Sequence, residues 1–250
     1  MKIHFKSKEE VEIMREGGKI LGNALKYAAS LVKPGITTKE LDKEVERFIL
    51  SHKGATPGFK GYYDYPATLC TSVNDEVVHS VPSEYVLKEG DIISIDCGVF
   101  YKGFNTDAAL TVPVNKISAQ ANDLINKTKE SLDLAISEAR PGVNLRTIGE
   151  LIQNFIEKNG YSVVRDLVGH GIGKTLHEDP QVPNFLPSYP LPTLREGMTI
   201  CIEPMVNIGD YEVLSRKNGT IITKDGSLSC HFEHTLSIEE KGAVILTPYY

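Results

Sequence analysis

Apolar positions recur at helical spacing from residue 8 to 32, and Lys33-Pro34-Gly35 ends the run. A second run opens at Thr37, where Thr37-x-x-Glu40 forms a capping box, and continues to about His52. The same punctuation returns further along the chain. One helix is predicted near 119–139, closed by Arg140-Pro141-Gly142, and another from about Asn144 to just before Gly160. KPGITTKELDKEVERFI, from 33, and RPGVNLRTIGELIQNFI, from 140, align at a spacing of 107 residues, with Phe48-Ile49 falling on Phe155-Ile156. The period then changes from helix to strand. LKEGDIISID (87–96) and LREGMTICIE (194–203) stand at the same spacing, and in each the isoleucines face one way while the closing carboxylate, Asp96 or Glu203, faces the other. Two matches at one spacing indicate an internal duplication.

Each half therefore reads as two helices followed by antiparallel strands, an α+β architecture in which the copies pair about an approximate two-fold axis and share a central cleft. No Pro/Gly/Ser-rich linker separates them, so one domain is expected over 1–250, with halves near 1–115 and 116–250. Weaker echoes extend the repeat: TDAALT (106–111) resembles EHTLS (233–237) once an insertion is allowed, and VHSVP (78–82) echoes LHEDP (176–180).

Composition narrows the class. A chain of 250 residues with 41% hydrophobic and 24% charged residues has the balance of a soluble globular protein. A net charge of −6 without runs of like charge argues against a nucleic-acid footprint. There is no apolar run long enough to span a membrane, and the opening MKIHFKSKEEVEIMREGG lacks the apolar stretch of a signal peptide, so the cytoplasm is the expected compartment. The four cysteines are scattered without a C-x-x-C pair; they are expected to be reduced, with Cys97 and Cys201 acting as small hydrophobes.

The chemistry gathers around carboxylates. A two-residue turn at Lys102-Gly103 in YKGF would set Asp96 opposite Ala109 and make Asp107 its diagonal neighbour on the same face. Among Ile92, Ile95, Val99 and Leu110, two converging carboxylates call for a metal or a shared proton; on an open hairpin surface they would be ordinary aspartates. The second half supplies Glu203 in TICIEPM and Glu233 in SCHFEHT. If the two-fold holds, all four converge, and such a cluster persists only with multivalent cations.

GHGIGKTLHEDP (169–180) carries three glycines by position 173 and a proline, which exclude a helix and leave a loop or a short irregular strand. The segment suits either an ordinary turn or a ligand site, and His170 is a natural fifth ligand beside the carboxylates. Mixed oxygen and nitrogen donors favour Mn, Fe, Co or Zn, and a two-metal centre of this kind is hydrolytic. His79 and His177 occupy related places in the weak repeat, which suggests substrate handling, although each alone also fits a structural role. His231 and His234 flank Glu233 and receive no role.

These segments together, NDEVVHSVP, IDCGVFYKGFNTD, GHGIGKTLHEDPQVPN, CIEPMVNIG and SLSCHFEHT, resemble the type I methionine aminopeptidases in order and over nearly the whole chain. The resemblance implies the pita-bread fold and removal of the initiator methionine from nascent polypeptides. It implies two divalent ions (Co, Mn, Fe or Zn) held by Asp96, Asp107, His170, Glu203 and Glu233. It further implies that His79 meets the amino end or the leaving nitrogen, that His177 contacts the scissile carbonyl, and that Glu203 relays a proton from the nucleophile. Phe59, Tyr62, Tyr65 and Cys70 of GFKGYYDYPATLC (58–70) would wall the methionine pocket. Transient contact with the ribosome and a monomeric state are part of the same expectation. The short span between Glu203 and Glu233 leaves no room for the helical insertion of type II enzymes, and no Cys/His extension precedes the first helix, as in the minimal bacterial form. Two departures stand out: Leu176 takes the place of a common Phe, and the chain has no Trp. Xaa-Pro peptidases and ligand-less binding relatives of the same fold are the competing readings; the first usually add an N-terminal domain, and the second lack the ligand set.

Overall fold

A computed structural model describes residues 2–250. Among the described residues the four α-helices are α1 (Lys8–Leu31), α2 (Thr38–Leu50), α3 (Ala119–Glu138) and α4 (Leu145–Lys158), each within two residues of its predicted ends. Their starts follow from capping. Ser7 and Thr37 each form a full capping box, with Glu10 and Glu40, while the side chains of Ser118 and Asn144 accept from the first turns of α3 and α4. Gly35 and Gly142, at φ of 95° and 92°, turn the chain between the paired helices through the left-handed region that glycine tolerates.

The duplication is visible in the hydrogen bonds themselves. Gly35 N–H donates to the Leu87 carbonyl as Gly142 N–H donates to that of Leu194, and Leu87 and Leu194 donate back to Ile36 and Val143. Isolated bridges join Thr37 to Val86 and Asn144 to Thr193. Every residue in the second set lies 107 positions after its counterpart in the first.

A nine-stranded sheet forms the centre, and all its strand pairs are antiparallel. Its middle is the hairpin Ile92–Tyr101/Phe104–Pro113, which pairs through its second strand with Glu233–Glu239, which in turn pairs with Thr199–Ile202. Strands from both halves thus meet side by side. The predicted hairpin register is the observed one: Tyr101 faces Phe104 and Asp96 faces Ala109. Lys102 and Gly103 take φ of 47° and 92°, the positive values that a two-residue turn matched to strand twist needs. Ile93, Ile95, Ile200 and Ile202 are fully buried against Leu21 and Leu25 of α1, Leu41 of α2, Leu124 of α3 and Ile152 of α4. Each such side chain contributes about 1.5–3 kcal/mol of burial. The opposite face of the sheet is left for the carboxylates.

Between Glu203 and Glu233 the second half carries strands without counterparts in the first. Met205–Asn207 pairs with Ser162–Val163 and Ser229–His231, and Val213–Ser215 pairs with Ile221–Thr223, which also pairs with Glu76–Val78. This is the insertion that the alignment of TDAALT with EHTLS requires. Segment 169–180 takes both of its expected forms: short strands at Gly169–Gly171 and Glu178–Val182, with a register shift at His170/Gly171, joined by an irregular stretch over 172–177. Its glycines allow close packing, since a Cβ at Gly169 would lie 2.3 Å from the Cys201 carbonyl oxygen and one at Gly171 2.2 Å from that of Asp179.

Helix α1 meets the C-terminal segment equally tightly: a Cβ on Gly18 would lie 2.1 Å from the Leu246 carbonyl oxygen. Gly18→Ala is therefore expected to destabilise the protein by about 1–3 kcal/mol, because backbone rather than a flexible side chain must move. Thermal unfolding checks this, and an unchanged melting temperature would contradict the packing. No helix among the described residues is long and apolar enough to cross a membrane.

Candidate metal centre

One cross-strand row carries most of the site. Cys70 faces Asp96, Asp96 faces Ala109, and Ala109 faces Glu233. Asp107 lies two residues along from Ala109, and Glu203 follows Ile202, the residue that faces His234. The carboxylates so aligned point away from the buried isoleucines, as the alternation requires. His170 arrives on the short strand Gly169–Gly171, which pairs with Thr199–Ile202 through Gly171 and Ile200.

Oxygens of Asp96, Asp107 and Glu233 all lie within 4.8 Å of one another, and so do donor atoms of His170, Cys201 and Glu233. His170 Nε2 stands 3.6 Å from Glu203 Oε1 and 4.0 Å from Asp107 Oδ2. The structure thus brings all five expected ligands together. Their mounting is rigid: the Thr235 hydroxyl accepts from Asp107 N–H (2.9 Å) and donates to its carbonyl (2.7 Å). The Asn184 side-chain amide donates to the Glu203 carbonyl at 3.0 Å, and the Tyr249 hydroxyl lies 2.8 Å and 3.1 Å from the carbonyls of Ala109 and Glu233.

Burial raises the pKa of all four carboxyls. Asp96 is pushed up to about 7, and Asp107, Glu203 and Glu233 go well above the usual carboxylate range, with mutual repulsion adding to desolvation. Burial drives His170 the other way, down to about 3, so its imidazole is neutral. Its Nδ1 sits 2.9 Å from the Gly171 carbonyl, which can only accept, so Nδ1 carries the proton and Nε2 keeps a free lone pair toward the carboxylates. Burial also holds the Cys201 thiol, close to His170 and Glu233, well above its ordinary value.

This donor set fits divalent cations. Asp96 Oδ1, Asp107 Oδ1 and Glu233 Oε1 are buried without a hydrogen-bond partner, and among the described residues no lysine or arginine pairs with any of the four carboxylates. Orphaned buried oxygens are costly, and positive charge among them removes the cost.

The cluster floors a cavity of about 820 Å³, which His79, His177, Phe59, Tyr62, Tyr65 and Cys70 also line. Phe59 and Cys70 are buried beside Leu176, with Tyr62 and Tyr65 packed against them, so Leu176 is part of the apolar wall. The Tyr65 hydroxyl, with one proton to give, lies 2.8 Å from the Leu69 carbonyl and 3.2 Å from that of Ser80, and is thereby committed to holding that wall. The Tyr62 hydroxyl lies 3.1 Å from His177 Nδ1, and the His177 ring meets that of His170 edge-on at 4.3 Å. His79 is held at φ of 62°, a strained value for a residue other than glycine, of the kind that gathers at functional sites.

His234 stands apart from this chemistry. Its ring nitrogens are matched to Thr247 Oγ1 (3.1 Å) and the Tyr250 hydroxyl (2.9 Å), and it stacks on Tyr249. His231, in contrast, is buried with Nε2 unpartnered, 3.8 Å from Glu203 Oε2. Asp166, Leu167, Asn218 and Gly219, which the sequence did not single out, also line the cavity. A signal existed for the last pair: Asn218-Gly219 ahead of the β-branched run Thr220-Ile221-Ile222-Thr223 marks a hairpin turn, and Gly219 takes φ of 88° there.

The chain belongs to metallopeptidase family M24, which it matches over residues 12–240. Within that family, the curated methionine aminopeptidase of Clostridium perfringens is 51% identical over 246 residues, covering 98% of each chain. The crystal structure of the methionine aminopeptidase from Thermotoga maritima superposes with a TM-score of 0.95 at 42% identity, covering 98% of this chain and 99% of that one. A prolidase from Pyrococcus horikoshii superposes at 0.80 with 24% identity over 97% of this chain and 63% of its own, a likeness of fold. The architecture is the pita-bread fold that these proteins share.

Proposed function

We propose that this protein hydrolyses the first peptide bond of polypeptides that begin with methionine, using two divalent ions held by Asp96, Asp107, His170, Glu203 and Glu233. The observation that carries the reading is the convergence of five ligand side chains on an apolar-walled cavity, three of them buried with orphaned oxygens and two, His170 and Glu203, partly exposed. When bound, the ions would polarise the scissile carbonyl and lower the pKa of a water.

The chain's own residues do the rest. Phe59, Cys70, Leu176 and the two tyrosines enclose an unbranched thioether side chain, each sulfur–aromatic contact adding about 0.3–1.5 kcal/mol. Accepting from Tyr62 at Nδ1 leaves His177 with an Nε2–H to donate to the substrate carbonyl. His79 meets the substrate's amino end or the leaving nitrogen. Glu203 takes a proton from the nucleophile and delivers it to the departing amine. The ions are Co, Mn, Fe or Zn. The proposal extends to one catalytic domain over 1–250 acting as a cytoplasmic monomer in transient contact with the ribosome.

Assays with added Mn²⁺ or Co²⁺ on Met-Gly-Met and on Xaa-Pro peptides test the specificity. Release of methionine from the first is expected, and preferential cleavage before proline would overturn the assignment. His177→Ala is expected to lower turnover by roughly 10²–10³-fold, the cost of losing one oxyanion donor. Its metal content, measured by elemental analysis, should match that of the parent protein. Loss of metal would instead make His177 a ligand.

A further inference from the structure

We propose that His231 is a positioning residue that fixes the carboxylate of Glu203 through an Nε2–H hydrogen bond, an inference that rests on Glu203 being a metal ligand and proton carrier. Glu203 lies between two imidazoles: its Oε1 is 3.6 Å from His170 Nε2 and its Oε2 is 3.8 Å from His231 Nε2. The two histidines differ in what they offer. His170 directs a lone pair, because its proton is spent on the Gly171 carbonyl. His231 Nε2 has no hydrogen-bond partner among the described residues, although the residue is only 2% exposed. A buried polar nitrogen left in this way costs about 1–3 kcal/mol, and among the described residues the only carboxylate within ion-pair distance of it is that of Glu203.

Its backbone is mounted to aim it there. The Thr111 hydroxyl accepts from His231 N–H at 3.0 Å and donates to the His231 carbonyl at 2.8 Å, and Ser94 Oγ, 2.7 Å away, completes the link to the first hairpin. His231 also pairs across its strand with Met205, two residues beyond Glu203. Both ends of the contact are thus fixed, and a shift of under an ångström in the Glu203 carboxylate closes it to hydrogen-bond length. An ionised Glu203 can only accept, so the imidazole supplies the proton. The bond leaves Oε1 turned toward His170 and the cation site, and removes the freedom of the carboxylate to swing toward solvent. His231 touches neither substrate nor ion in this account; it acts through Glu203.

The test compares two amide variants by calorimetric titration of the metal-free full-length protein with Mn²⁺. Glutamine places its amide where the imidazole carries Nε2, whereas asparagine reaches only to where Nδ1 lies. His231→Gln is expected to bind Mn²⁺ with nearly the parent affinity, and His231→Asn roughly 10–100-fold more weakly. The melting temperatures of the metal-free variants separate a folding defect from this effect, because both remove the same ring. Equal affinities in the two variants, whether both parental or both weakened, would overturn the role of His231 while leaving the metal centre standing. Failure of the parent protein to bind Mn²⁺ would remove the centre and the inference together.

Discussion

Glu203→Gln is expected to lower kcat for a Met-Gly-Met peptide by roughly 10²–10⁴-fold, the usual contribution of a positioned proton carrier. The substitution keeps the volume and the mounting, since the Asn184 amide bonds the Glu203 backbone carbonyl and not its side chain. What it removes is negative charge and basicity at a position 3.6 Å from His170 Nε2. The neutral amide can neither accept a proton from the nucleophile nor balance a divalent ion as a carboxylate does. KM should change far less than kcat, because the methionine side chain is enclosed by Phe59, Tyr62, Tyr65, Cys70 and Leu176, none of which the change touches. Steady-state kinetics at saturating Mn²⁺ provide the check. A variant retaining more than about a tenth of parental kcat would mean that another group moves the proton.

The second large effect is on stability. With metal removed, the protein is expected to lose stability as pH rises from about 6.5 to about 8, and the loss should vanish when Mn²⁺ is restored. The four carboxyls have folded-state pKa values raised above those of the unfolded chain, so the folded state holds protons that the unfolded state has released. Stability from such groups is complete below the unfolded values near 4 and is lost as pH climbs through the folded ones. For Asp96, pushed up to about 7, the loss is spread between about pH 4 and about pH 7, so within the window it comes chiefly from Asp107, Glu203 and Glu233, which burial and mutual repulsion hold well above the usual carboxylate range. Below about pH 6.5 a second set acts in the opposite sense. Burial pushes His170, His231 and His234 down to about 3, so the unfolded chain takes up protons there that the folded one refuses. The window above that pH isolates the carboxylates, and it closes near 8.5, where cysteine thiols begin to titrate. Bound cations replace the protons and flatten the profile. Melting temperatures measured across the window with and without Mn²⁺ decide the matter, and a metal-free profile that stays level would mean that the carboxylates are not crowded.

Much of this could be read from the chain because the signals are local. Capping residues at Ser7, Thr37, Ser118 and Asn144 mark helix starts within a turn, and the two-residue turn at Lys102-Gly103 fixes the register that sets Asp96 beside Asp107. The repeat at 107 residues then carries Asp96 onto Glu203 without any knowledge of the sheet. The five metal-ligand candidates, the two histidines and the four pocket residues all line the cavity that the structure forms. What escaped notice depends on how distant segments meet. Asp166 and Leu167 face the cavity only after the halves pair, and Asn218 and Gly219 arrive on the turn between two strands inserted into one half, where the repeat offers no guide. The difference between His231 and His234 is of the same kind. The two lie three residues apart in SCHFEHT, yet one ring is satisfied by Thr247 and Tyr250 at the C-terminus and the other is left facing Glu203. No pattern of spacing separates them, because Thr247 and Tyr250 come from the far end of the chain.

The central claim is that Asp96, Asp107, His170, Glu203 and Glu233 form one cation-binding centre. Anomalous X-ray scattering from crystals of the full-length protein grown with Mn²⁺ tests it most directly. The account predicts two peaks, about 3.5–4 Å apart, enclosed by these five side chains. Manganese found only at surface carboxylates, with the five side chains holding no anomalous density between them, would contradict it.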